Sequence, residues 1–266
     1  MILASTPTWT LLASVLAVLA YASLALAPQR LGDLHARRFM LLGCAAHALV
    51  LLGGMVPPVR FGFAPALSVT AWLVLVAYLV ESQFYPQLRG RWILGGLGAL
   101  AVLLAWVFPG AQLHVQASSW LPLHLALGLS SYGMFAVAVL HAWLMTRTER
   151  EIRQAQSSPG LPLLTLERLT FRFVTAGFVL LSATLLAGAF FGEQLYGAAS
   201  AAWRWDHKRV FAVLSWLTFA ALLWGRQQWG WRGRRAVRVL YAGAVLLMLS
   251  YVGSRFVLEM VLERGA

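Results

Sequence analysis

Charge is scarce in this chain: only 11% of its 266 residues are charged, and nine Asp and Glu stand against twenty-one Lys and Arg. A soluble domain carries about a quarter charged residues, so the composition excludes an ordinary water-facing surface and argues for a membrane. The single cysteine, Cys44, excludes an internal disulfide and any Cys-rich zinc or iron–sulfur site. Phosphate-binding loops, dinucleotide fingerprints, H-E-x-x-H pairs and G-x-S-x-G elbows are all missing, which excludes the common ATPases, proteases and hydrolases. No nucleophile stands beside a base, so no catalytic residue is assigned and non-enzymatic work is favoured. A transporter would call for broken helix pairs and an inverted repeat, and neither is evident.

What is abundant is apolar and aromatic. Sixty per cent of the chain is hydrophobic, with 12 Trp and 7 Tyr for interfacial belts. Stretches of about twenty apolar residues recur at about 9–27, 39–56, 67–86, 92–108, 120–146, 171–192, 207–225 and 237–258, each long enough to cross about 30 Å of hydrocarbon. Helices satisfy every backbone group in lipid, and these runs are too long and uniform for barrel strands. The expectation is an all-α, polytopic bundle of about eight transmembrane helices, forming a single transmembrane domain over residues 1–266.

The cations set the orientation. One set of connections holds Arg30, Arg37, Arg38, Arg89 and Arg91, the Arg/Glu-rich stretch after Thr146, and the run Arg232-Gly233-Arg234-Arg235. The other set has only Arg60, Arg204, Lys208, Arg209, Arg255 and Arg264. The positive-inside rule makes the richer side cytoplasmic and leaves both termini outside. Ala25-Leu26-Ala27 looks like a cleavage site, but no Lys or Arg precedes the first apolar stretch, so it is expected to stay as a helix. The polar stretch at about 147–170 reads as a cytoplasmic hairpin, with Ser157-Ser158-Pro159-Gly160 as its breakers. The basic run reads as a membrane anchor rather than a nucleic-acid patch.

An ionisable side chain within lipid needs a reason. His47, Glu81, His124 and His141 fall inside expected spans. Glu81 and His141 sit near helix ends, where snorkelling or a local hydrogen bond accounts for them. His47 is expected about 12 Å into the second span and His124 about 6 Å below the outer surface, too far apart in depth to hold one iron from opposite faces. Either imidazole is equally a packed core histidine or an axial ligand for haem. Trp203-Arg204-Trp205-Asp206-His207-Lys208 reads as an interfacial belt running into a helix start, or as a stacking platform flanked by Arg60, Arg204, Lys208 and Arg209.

These residues resemble the haem-handling membrane proteins of cytochrome c assembly, of the CcsA/CcmC type. Trp203-Arg204-Trp205-Asp206 fits the family's W-x-W-D motif, at the end of an outer segment of about 193–206, and Lys208, Phe211, Trp216 and Phe219 match the family's aromatic-rich helix downstream of it. His124 with Ser131-Tyr132 is similar to the family's His-Ser-Tyr helix, and Ser68 with Trp72 to its S-x-x-x-W stretch. The resemblance implies a bacterial-type inner-membrane protein that holds haem non-covalently and presents it at the outer face. It implies His124 and His47 as iron ligands, Trp203 and Trp205 as stacking partners, Arg60, Arg204 and Lys208 as partners of the propionates, and Asp206 as the residue that orients the segment. Partners would be other assembly components or an apocytochrome, with no nucleic acid. Two family histidines are absent, Trp224 and Leu262 standing in their places. That departure is similar to the YpjD/HemX-like branch, and the alternative role is an accessory protein of the same fold that has lost haem transfer.

Overall fold

A computed structural model of the chain describes residues 8–26, 31–56, 59–88, 90–112, 121–154, 160–191 and 207–257. Helices dominate: α1 (Thr8–Leu26), α2 (Asp33–Gly53), α3 (Phe63–Phe84), α4 (Arg91–Val107), α5 (Leu121–Arg153), α6 (Leu163–Phe190), α7 (His207–Trp229) and α8 (Gly233–Met248). The last continues through a π-helical segment, Leu249–Gly253, into a final α turn at Ser254–Phe256. Among the described residues seven helices are long and apolar enough to cross a membrane, and α4, also apolar, is shorter at 17 residues. The chain is therefore a polytopic helical membrane protein, as the apolar runs predict. The helices fall into two compact units, α1–α4 and α5–α8.

In the first unit α1 runs antiparallel to both α2 and α4, and α2 antiparallel to α3. Gly43 and His47 of α2 meet Tyr21 of α1, and Thr10 and Trp9 meet Gly53 at the other end. Small residues bring α1 and α4 together: Ala13, Ala17 and Ala20 are buried on one helix, Gly95 and Gly98 on the other. A Cβ on Gly95 would stand 2.7 Å from the carbonyl oxygen of Tyr21, so only glycine permits this approach of backbone to helix. A two-residue antiparallel pair, β1 (Arg60–Phe61) with β2 (Ala111–Gln112), ties the α2–α3 connection to the segment after α4. Gly110 makes that pairing possible: its φ is +78°, and a Cβ there would lie 2.6 Å from the Phe61 backbone.

The second unit is a four-helix antiparallel arrangement around Phe135, Phe219 and their apolar neighbours. The two rings stack with centroids 3.7 Å apart. Trp216 of α7 donates from Nε1 to Ser182 Oγ on α6 at 2.8 Å and stacks on Phe178. Ser215 Oγ donates to the Gly243 carbonyl of α8 at 2.9 Å. At one end of the unit Arg226 Nη1 meets Glu167 Oε1 at 2.8 Å, and its guanidinium lies 3.5 Å from the Phe171 ring centroid.

Helix ends differ from the apolar runs where charge begins. α2 starts at Asp33 rather than near 39, and α6 at Leu163 rather than near 171. Much of the polar stretch at 147–170 is itself helical: α5 continues to Arg153, its exposed end carrying Arg147–Glu151 and Arg153–Glu149 pairs at i,i+4 spacing. Hydropathy marks where a helix leaves lipid, whereas backbone bonding and charge pairs carry it further.

Candidate functional site

In the first unit a buried polar chain crosses three helices. His47 on α2 is fully buried, with Nε2 2.8 Å from Ser68 Oγ on α3. Its Nδ1 lies 3.5 Å from the hydroxyl of Tyr21 on α1, and that hydroxyl donates to Cys44 Sγ at 3.5 Å. Trp72, four residues after Ser68, donates from Nε1 to the Cys44 carbonyl at 3.0 Å. The i,i+4 spacing puts Ser68 and Trp72 on the α3 face that meets α2. The S-x-x-x-W stretch thus holds α2 and its histidine in place. Because α2 begins at Asp33, His47 stands about 9 Å from the helix's C-terminal end and about 21 Å from its start, where the apolar run alone suggests about 12 Å. Arg60 is exposed in β1 of this unit.

In the second unit four chain ends meet at one end of the bundle: the starts of α5 and α7 and the finishes of α6 and α8. His124 is in the first turn of α5, half-buried, with Cε1 3.5 Å from where a Cβ on Gly188 of α6 would be. Lys208 is the second residue of α7, and its carbonyl accepts a hydrogen bond from Ser250 Oγ at 3.0 Å. Trp203, Arg204, Trp205 and Asp206 lie outside the described residues, but α7 begins at His207, the next position in the chain. The W-x-W-D segment therefore leads directly into the first turn of α7, at the end of the unit where His124 sits.

Sequence reasoning missed the way α8 finishes at this end. Tyr132 on α5 donates its hydroxyl to the Leu247 carbonyl, just before the π-helical segment begins. Ser254 Oγ donates to the Ser250 and Tyr251 carbonyls, at 3.0 Å each. Hydroxyls of Tyr132 and Ser254, both outside the segment, satisfy carbonyls where the regular α-helical ladder is interrupted, a distortion frequent at functional sites. Arg255 is the second residue beyond the segment, with its Nε buried. Ser250, Tyr251 and Ser254 have no pattern that announces such a turn; the one cue was an Arg within an otherwise apolar run.

The aromatic run after W-x-W-D divides by role. Trp216 and Phe219 pack inside the unit, so they support the fold rather than offering a surface. Trp224 is 60% exposed. His141 is fully buried with its ring 5.4 Å from Phe173, and Glu81 is buried on α3. Among the described residues no three His, Cys, Asp or Glu gather into a metal site. One axial imidazole, with the porphyrin supplying the rest, remains compatible with that.

The family described as "Cytochrome C assembly protein" matches residues 31–262, which takes in both helical units. This chain belongs to that family. The inner membrane protein YpjD of Escherichia coli (strain K12) is 30% identical over 228 residues, covering 83% of this chain and 85% of the relative. The cytochrome c biogenesis protein CcsA of Prochlorococcus marinus (strain MIT 9313) is 27% identical, covering 80% of this chain and 89% of the relative. CcsA of Synechococcus sp. (strain WH7803) is 29% identical over 230 residues, 71% of each chain. No solved structure matches. Family and apolar helices together make this a multi-pass inner-membrane protein with a role in cytochrome c biogenesis.

Proposed function

We propose that the protein handles haem during cytochrome c biogenesis, holding it non-covalently at the His124 end of the second unit. His124 would hold the haem iron through an imidazole nitrogen, Trp203 and Trp205 would stack on the macrocycle, and Asp206 would orient the segment. Arg204 and Lys208 pair with the propionates, since guanidinium and ammonium groups bind carboxylates through charge-assisted hydrogen bonds. The observation that carries this reading is the convergence of three features at one end of one unit: a half-buried imidazole in the first turn of α5, the start of α7 directly after W-x-W-D, and a distorted α8 finish. The chain's own residues bind and orient the haem; thioether chemistry belongs to partners that bring the apocytochrome cysteines.

His47 would serve as a second station inside the first unit. Ligation there would require Nε2 to exchange its Ser68 contact for the iron, while the Nδ1 contact to the Tyr21 hydroxyl would fix the tautomer. The same engagement of both nitrogens supports the second reading, an accessory protein that keeps the fold without haem transfer, as does Trp224 in place of a histidine. The two part on one experiment. Purified protein of the first kind shows a Soret band that His124→Ala removes and that Trp205→Ala and Asp206→Ala reduce several-fold, at unchanged amounts of folded protein. Absence of any band after haem reconstitution moves the protein to the accessory role.

A further inference from the structure

A guanidinium inside a membrane protein is costly unless something satisfies its charge and its donors. Arg255 is such a group. Its Nε is buried without a hydrogen-bond partner, and no carboxylate among the described residues pairs with it. Its guanidinium carbon lies 6.0 Å from the Tyr251 ring centroid, at the outer reach of a cation–π contact. A long Arg side chain in this position can snorkel to water, yet here its Nε stays inside.

The geometry of α8 explains why its Nε is covered although the residue as a whole is only half-buried. Leu247 is part of the unit's core. The segment Leu249–Gly253 is π-helical, and a π turn holds one residue more than an α turn. Arg255, eight positions after Leu247, therefore stands where the seventh would in an unbroken helix, on the face that Leu247 shares. Without the π turn it would rotate away from that face. The Tyr132–Leu247 hydrogen bond also sets its level. α5 and α8 are antiparallel, and His124 precedes Tyr132 by the same number of positions as separates Leu247 from Arg255. Both side chains then lie about 12 Å beyond that bond, at the same end of the unit.

Resting on the haem reading above, we propose that Arg255 is a carboxylate anchor of this site beside Arg204 and Lys208: the π turn puts it on the Leu247 face so that its guanidinium pairs with a porphyrin propionate at the level of His124. Arg255 is a positioning residue. It selects a free-acid porphyrin and sets its rotation, while iron ligation stays with His124. A planar fork of donors suits a carboxylate better than the point charge of lysine.

The test compares haemin with haemin dimethyl ester, whose propionates carry no charge, by titrating each into detergent-purified protein and monitoring the Soret band. Wild type should bind the free acid about tenfold more tightly than the ester, the preference that a charge-assisted pair confers. Arg255→Gln should lose most of that preference, keeping only the part that Arg204 and Lys208 supply, and Arg255→Lys should keep more of it. Each variant is its own control for folding, because the ratio is taken on one preparation. An unchanged ratio in Arg255→Gln overturns the proposal, and is what pairing with lipid phosphate alone would give. Wild type that binds both porphyrins alike overturns it too, together with the propionate pairing of Arg204 and Lys208, and leaves only the His124 ligation standing. Wild type that takes up neither overturns the haem reading itself.

Discussion

His47 Nε2 and Ser68 Oγ lie 2.8 Å apart on neighbouring helices, both fully buried. Interhelical hydrogen bonds within membrane proteins contribute about 0.6 kcal/mol on average and up to about 1.7. This pair is at the centre of a chain that also includes Tyr21 and Cys44, so it should lie toward the upper part of that range. Ser68→Ala should lower the stability of the folded protein by about 1 kcal/mol in a denaturing-detergent titration. It should leave a His124-dependent Soret band unaltered. A loss of that band in Ser68→Ala would instead couple the buried chain to haem binding.

The close packing of α1 on α4 gives a sharper test, because two adjacent glycines on α4 have opposite surroundings. At Gly95 an added Cβ meets the Tyr21 carbonyl oxygen at 2.7 Å and the Leu24 Cβ at 2.8 Å. At Gly96 its nearest neighbour is the Ala25 Cβ at 3.9 Å. Backbone cannot swing aside as a side-chain end can, so Gly95→Ala must separate the helices, a misfit of about 1–3 kcal/mol. Gly96→Ala should be neutral or slightly stabilising, since alanine favours the helix by up to about 1 kcal/mol. Equal thermal stability of the two variants would show that α1 and α4 pack less closely than backbone contact at Gly95 requires.

Much of this was legible in the residues, for specific reasons. Apolar runs near twenty residues long can only be spanning helices, so the architecture came out of length and hydropathy. Ser68 and Trp72 share a helix face by their spacing, though nothing local revealed that the face holds His47 and Cys44. The aromatic run after W-x-W-D was harder. A Trp or Phe reads the same whether it stacks on a ligand or on Phe178 and Phe135, and only the packed neighbours show that Trp216 and Phe219 do the latter. The placing of Arg255 on the Leu247 face was invisible, because it depends on a π segment that breaks the very periodicity by which faces are read. Helix ends drifted for a related reason: charge stops a hydropathy window but not a helix.

Glu167 illustrates an acidic group tied to two cations. Arg226 Nη1 is 2.8 Å from Glu167 Oε1, and Arg232 Nε is 3.7 Å from the same oxygen. The glutamate side chain is only 13% exposed, whereas Arg232 is 68% exposed, so the Arg226 pair should dominate. Glu167→Gln should cost about 1–3 kcal/mol by leaving a half-buried guanidinium with a weaker partner. Arg232→Ala should cost less than about 1 kcal/mol. Melting in detergent at low and high salt separates them: the Arg232 contribution fades with salt, and the shielded Arg226 pair persists.

Orientation provides the last prediction, because the fold fixes which connections share a side while charge decides which side that is. In the first unit, pairing of Arg60 with Gln112 and of Phe61 with Ala111 puts the α2–α3 connection and the segment after α4 on one side. In the second unit the α7–α8 turn is at the opposite end from His124, and it carries the exposed Arg232, Arg234 and Arg235. The cation-rich side faces the cytoplasm if the positive-inside rule governs this chain. Alkaline phosphatase folds only after export, so fusions after Ala111 and Ala199 should be active and those near Ser157 and Gln227 silent. The fusion after Ala111 depends on the first unit, and those at Ala199 and Gln227 on the second. Agreement of all four makes the His124 end external, where haem would be offered to an apocytochrome outside the membrane. The reverse pattern in all four would put that end in the cytoplasm and remove the export role from the proposed function, whatever the haem affinity.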